Sequence, residues 1–158
     1  MKHICRSVLG ALDLLTGCAL FDRSEPVTLR IYEQASEALP DTFIKRVMLP
    51  KTDKTIAVRS SPSISEVRIA NAVVTQTAGG AAILLRFDPH GIMELNELTT
   101  RCRGQYLVIF LNNRPVAAWL VDRVLDKGQL LVEGDFTDEE ARKAVESFNK
   151  ESVKREAL

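Results

Sequence analysis

Residues 134–145, GDFTDEEARKAV, mark the end of one structural element and the start of another. Thr137 stands where a helix needs an N-cap and Glu140 follows three residues later. Hydroxyl and carboxylate can then each accept from the other residue's backbone N–H, a capping box. Phe136, just ahead of the cap, is placed to staple against the first turn. Ala141, Ala144, Val145 and Phe148 recur at helical spacing and predict one apolar face. Along the other face Asp138–Arg142, Glu139–Lys143 and Glu146–Lys150 are i,i+4 pairs worth only about 0.2–0.5 kcal/mol each. That is the pattern of a solvated surface, and residues 151–158, ESVKREAL, read as a polar, fraying tail.

Working upstream, QLLVEG before this stretch reads as a strand, entered through the turn Asp126-Lys127-Gly128. RPVAAWLVDRVL and QYLVIFL are two further strands. Asn112-Asn113 between them suits the left-handed angles of a tight hairpin. DPHGIMELNELTTRCRG reads as a helix, with Asp88 as cap, Pro89 at the first helical position and Gly104 as the stop. Ile92, Leu95, Leu98, Thr99 and Cys102 share its apolar face. Gly79-Gly80 reads as a turn into the strand AAILLRF.

In the N-terminal half, VTLRI, TFIKRVMLP and KTIAVRS read as strands, the last two joined by the turn KTDK. Residues 33–41 predict a short helical turn ended by Pro40. From Gly79 on, the order is strand, helix, three strands, helix. This predicts an α+β fold, a mainly antiparallel sheet with helices packed on one face.

With 158 residues the chain can bury a core without disulfides or metals. Lys plus Arg and Asp plus Glu both number 21, which argues against nucleic acid as a partner, since phosphate binding calls for a cationic surplus. Cys5, Cys18 and Cys102 match neither a zinc site nor a CxxC pair, and His3 and His90 lack ligand spacing. No metal or other cofactor is expected.

The first eighteen residues, MKHICRSVLGALDLLTGC, resemble a bacterial lipoprotein leader: Lys2 and Arg6, an apolar stretch over 8–15, then Leu15-Thr16-Gly17-Cys18. Small residues admit the peptidase and the Cys18 thiol takes the lipid. On this reading residues 1–17 are a signal peptide, 18–26 a tether, 27–62 an N-terminal strand region, and 63–150 the main α+β domain. Asp13 interrupts the apolar stretch, and an acid at the centre of a membrane helix costs about 2.5–3.5 kcal/mol. The alternative is a cytosolic protein in which residues 8–18 form an amphipathic helix. Ala19, where an aspartate favours inner-membrane retention, leaves the outer membrane open as a destination.

Residues 88–145 resemble the periplasmic head domain of SecD, a subunit of the bacterial Sec protein translocase. The resemblance rests on Glu97-Leu98-Thr99, Gly104, LVIFL, Asn112-Asn113, Val116-Ala117-Ala118, Gly134-Asp135-Phe136-Thr137 and Glu139-Glu140-Ala141. Upstream, VRSSPSISEVRIANAVV, with Ala70, is similar to the family's lead-in strand and turn. The likeness extends over about 100 residues, and Trp119 departs from it where the family usually has proline. It implies a SecD-head-like fold and a non-catalytic, lipid-anchored module of the cell envelope, facing the periplasm. Its partner would be an envelope protein or an exported polypeptide, with a possible accessory role in protein export. SecD's membrane helices and their proton-coupling charges have no counterpart here, so proton-driven export is not implied.

Two other classes compete with this one. The first is a thiol-dependent enzyme using Cys102, since Arg101 and Arg103 flank it and cations lower a thiol pKa. Against it, Cys102 lies on the apolar helix face, with the arginines expected to point elsewhere. Asp88 and His90 read as a cap beside an exposed histidine. The second is lipid or cell-wall binding through Lys45, Arg46, Lys51, Lys54 and Arg59.

Overall fold

The computed structural model describes residues 25–157. The leader, Cys5, the lipidation candidate Cys18 and most of the tether lie outside the described residues. The elements run β1 (Leu29–Glu33), β2 (Ile44–Met48), β3 (Thr55–Arg59), β4 (Ile64–Ser65), a 3-10 turn (Glu66–Arg68), β5 (Ile69–Thr77), β6 (Gly80–Phe87), α1 (Pro89–Arg101), β7 (Tyr106–Leu111), β8 (Arg114–Leu120), β9 (Gln129–Glu133) and α2 (Asp138–Glu156). The fold is α+β with antiparallel pairing throughout, divided among three sheets: β4-β1-β7-β8, β2-β3 and β5-β6-β9.

The apolar run of β7 now has a cause. Leu107, Ile109 and Leu111 face the larger core, with Leu29 and Ile31 of β1. Tyr106, Val108 and Phe110 face the opposite way, onto Val47, Leu49, Ile56 and Val58 of the β2–β3 hairpin. A strand buried on both faces has no polar alternation to show. The larger core is closed by the inner face of β5-β6-β9, through Ala72, Ile83, Leu85, Leu130 and Val132, and by both helices. β1 lies between β4 and β7, so residues 27–62 fold together with the segment that follows them.

Local chemistry fixes the joints. Asn112 (φ 48°) and Asn113 (φ 63°) are both left-handed, as a two-residue hairpin between β7 and β8 requires. Asp88 accepts from Gly91 N–H at 2.7 Å. The capping box is present, with Glu140 N–H donating to Thr137 Oγ1 and Thr137 N–H to Glu140. That backbone hydrogen bond, with Arg114 beside it, holds the Glu140 carboxyl below its ordinary pKa.

Two segments differ from expectation. Residues 33–41 form no helix: Glu33 ends β1, Gln34 bridges Val58, and Gln34 N–H donates to Tyr106 O at 2.9 Å. Strand pairing thus claims the start of the segment, and turns follow it. Residues 151–156 are helix rather than tail. Ser152 Oγ donates to Ala70 O and Arg155 to Ile69 O, each at 2.6 Å, so polar contacts with the edge of β5 hold the last turns in place.

Gly91 in α1 is wedged. A Cβ there would lie 2.9 Å from Arg68 Cβ and 3.0 Å from Phe87 Cβ. Gly91→Ala gains about 1 kcal/mol of helix propensity but overpacks a site where the crowding typically costs about 1–3 kcal/mol. The expected net result is a loss of about 1 kcal/mol, read by urea denaturation.

Candidate functional site

Where β1, β3 and α1 meet, Glu33 is a buried carboxylate, 6% exposed. Arg59 Nε pairs with its Oε1. On Oε2, Arg101 closes a bidentate contact through Nε at 3.1 Å and a terminal nitrogen at 2.9 Å, and the Cys102 thiol donates at 3.3 Å. Arg101 also reaches Glu97, one turn earlier on α1, at 3.1 Å. The junction opens on a shallow cavity of about 330 Å³ lined by Glu33, Leu39, Arg59, Arg101, Cys102 and Gln105.

Arg101 therefore does not point away from Cys102, because both converge on one carboxylate, while Arg103 turns to Asp122 O. The thiol is not activated by this arrangement. Burial first, then the hydrogen bond to Glu33, push its pKa up to about 11, outweighing the two guanidiniums. A thiol with that pKa carries almost no thiolate at neutral pH, and thiolate is the nucleophile. The cluster ties three elements together, with a buried acceptor that satisfies all its donors.

Two results are expected. Iodoacetamide at neutral pH leaves Cys102 unmodified in the folded protein and alkylates it in urea. As pH rises above about 9, the unfolded chain loses the thiol proton before the folded one, so stability falls with pH up to about 11. Cys102→Ala flattens that slope in a pH series of denaturation curves.

The basic residues of the N-terminal half are engaged rather than free. Lys45 Nζ lies 3.3 Å from the Tyr32 ring centroid and 4.2 Å from that of Phe110. Lys54 lies 5.0 Å from the Tyr106 ring. Arg46 pairs with Glu37 and Asp41, and Arg59 with Glu33. Four of the five cations are thus committed to rings or carboxylates, and no open cationic patch forms from them. His90 is exposed beside the Asp88 cap. Among the described residues no group of three or more His, Cys, Asp or Glu could hold a metal ion, and no helix is long and apolar enough to cross a membrane.

What remains open is surface. On the outer face of β5-β6-β9, Val73, Leu84 and Leu131 stand in one cross-strand row, with Val73 and Leu131 exposed. Phe43, just ahead of β2, and Met48, its last residue, are 60% and 62% exposed. Exposed apolar groups on strands offer packing surface and no reactive chemistry. Neither is legible from residue order, because alternation alone does not tell which sheet faces find a partner.

Residues 40–146 match the family described as SecDF, P1 head subdomain. Among solved structures, that of a membrane component, SecDF, that enhances protein export is similar at 18% identity and a TM-score of 0.60, over 78% of this chain and 62% of that one. SecDF in a super-membrane-facing form is similar at 18% identity and a TM-score of 0.58, over 78% of this chain and 19% of that one. The chain thus spans less than two thirds of either. No curated protein matches it. The shared fold accounts for the motifs: Glu97-Leu98-Thr99 lies in α1, Asn112-Asn113 is the β7–β8 hairpin, and Thr137 with Glu140 caps α2. Trp119 pairs with Leu107 and packs, partly buried, against the larger core.

Proposed function

The chain belongs to the SecDF P1 head subdomain family, and from that membership we propose that it is a non-catalytic module that contacts polypeptides being exported across a bacterial envelope. The match over residues 40–146 carries this reading. Its most ionisable cluster supports it as well, since Glu33 and its partners saturate one another and leave no activated nucleophile.

The proposal includes a lipid on Cys18 that holds the domain on the periplasmic side of a membrane. The eight tether residues after Cys18, 19–26, span at most about 26–29 Å. The end of the tether is pinned where Val27 N–H donates to Ser147 Oγ at 2.9 Å. The domain would then sit close to the bilayer, with α2 beside the attachment point. Expression from the native start codon should yield a diacylglyceryl-modified Cys18, lost in Cys18→Ser. An unprocessed Met1 would remove the anchor from the proposal.

The contact itself is tested by placing a photoreactive residue at Met48, at Leu131 or at Met93, an exposed residue of α1, in turn and irradiating living cells. Adducts with exported polypeptides, increasing when export is stalled, are the expected result. Adducts confined to cytosolic proteins, or none at any position, would reject the reading.

A further inference from the structure

β2 has a partner on one side only. β3 pairs it in the register Lys45↔Val58 and Val47↔Ile56, and among the described residues no strand lies on its other side. The hydrogen-bonding phase follows from the ends of the hairpin: Ser60 N–H donates to Phe43 O at 2.9 Å and Leu49 N–H to Lys54 O at 2.8 Å. In an antiparallel ladder, bonded pairs alternate, so Lys45 and Val47 turn their backbone groups toward β3. The N–H and C=O groups of Ile44, Arg46 and Met48 therefore point outward.

Proteins usually cover or charge such an edge, and this molecule does so elsewhere. Along β5, Asn149 of α2 accepts from Ala72 N–H at 2.8 Å and donates to Ala72 O at 3.0 Å, acting as a one-residue strand partner. Ser152 and Arg155 take Ala70 O and Ile69 O. At β8, Asp135 N–H takes Val116 O at 2.7 Å. At β2, Ile44 is buried, but Arg46 and Met48 are exposed and have no comparable cover among the described residues. The two charges that would blunt this edge are drawn aside, Lys45 onto the rings of Tyr32 and Phe110 and Arg46 to Glu37 and Asp41. Phe43 and Met48 stand exposed at its two ends, about 17 Å apart along an extended chain.

We propose that the free edge of β2 receives an extended, unfolded polypeptide segment as an added strand, with apolar side chains of that segment resting on Phe43 and Met48. Only another extended backbone satisfies an alternating row of N–H and C=O groups. Because the bonds are to main chain, the site tolerates many sequences. This rests on the contact with exported polypeptides proposed above and assigns it a place.

The test is amide hydrogen exchange on the full chain, with and without a reduced, alkylated protein that stays unfolded. The amides of Arg46 and Met48 exchange quickly in the free chain and slow at least tenfold when the unfolded protein is added. Arg46→Pro removes one outward N–H without touching the β2–β3 ladder, and it weakens binding about tenfold or more. Arg46→Ala, which loses the same ion pairs, stays within about threefold of the parent chain. Several results would overturn the inference. The two amides could already be protected in the free monomer, or become protected with rising concentration of the chain alone, which would assign the edge to this chain itself. Protection could appear instead at Leu131 and Glu133 of β9. Or Arg46→Pro, shown folded by its exchange pattern, could bind like the parent. Binding that persists while β2 stays unprotected rejects the edge and keeps the contact function, whereas no binding anywhere rejects both.

Discussion

Glu33→Ala lowers the unfolding free energy by about 2–3 kcal/mol. Breaking a buried charged pair by removing one partner typically costs about 3–5 kcal/mol. Here the orphaned guanidiniums of Arg59 and Arg101 are half exposed, at 55% and 48%, so water recovers part of their solvation and the cost falls below that range. What water cannot recover is the Cys102 thiol, 2% exposed, which loses the Glu33 carboxylate it donates to. Glu33→Gln keeps the shape and one acceptor oxygen, so it should cost less than the alanine change. The effect is read as a shift in urea midpoint at unchanged slope. A Glu33→Ala protein as stable as the parent would mean that the junction does not tie β1, β3 and α1 together.

Phe148→Ala has a larger effect, about 4 kcal/mol, within the usual range of about 3–5 kcal/mol for deleting a core phenylalanine. Phe148 is 2% exposed in the larger core, where it seats α2 with Ala141 and Ala144. One residue further on, Asn149 holds the backbone of Ala72, so loosening the helix also uncovers the edge of β5. The amide of Ala72 should exchange faster in Phe148→Ala than destabilisation alone explains. Val153, on the same helix but 66% exposed, serves as the control: Val153→Ala should change stability by less than about 0.5 kcal/mol. Equal effects at the two positions would contradict the packing of α2.

Which parts of this fold can be read without coordinates depends on how local their causes are. The α2 cap, the Asp88 cap with Pro89, and the Asn112-Asn113 hairpin each depend on a few adjacent residues, and all three stand as the sequence predicts. The order from β6 to α2 follows from alternating apolar runs and turn residues in the same way. Residues 33–41 misled because Gln34 is held by Tyr106 and Val58, neither of them near it in sequence. The last turns of α2 look polar because Ser152 and Arg155 serve carbonyls of β5, again a distant partner. Glu33 is the clearest case. Nothing in LRIYEQ distinguishes it, and only the meeting of three elements makes it a buried anchor. The open edge of β2 is hidden likewise, since strand order belongs to the whole chain. The committed state of Lys45, Lys54, Arg46 and Arg59 is hidden for the same reason.

Together these features describe an α+β body whose buried carboxylate is spent on the joint of β1, β3 and α1 and which leaves a few large apolar side chains and one strand edge at its surface. That division suits a domain that holds other chains without altering them. The most direct measurement compares the affinity of the full chain for one reporter protein in its folded form and in a reduced, alkylated form that cannot fold. Fluorescence anisotropy of the labelled reporter reads both. Binding to the unfolded form, at least tenfold tighter than to the folded one and independent of nucleotide or metal, is the predicted result. Equal binding to the two forms, or binding to neither, would contradict a role in contacting polypeptides under export.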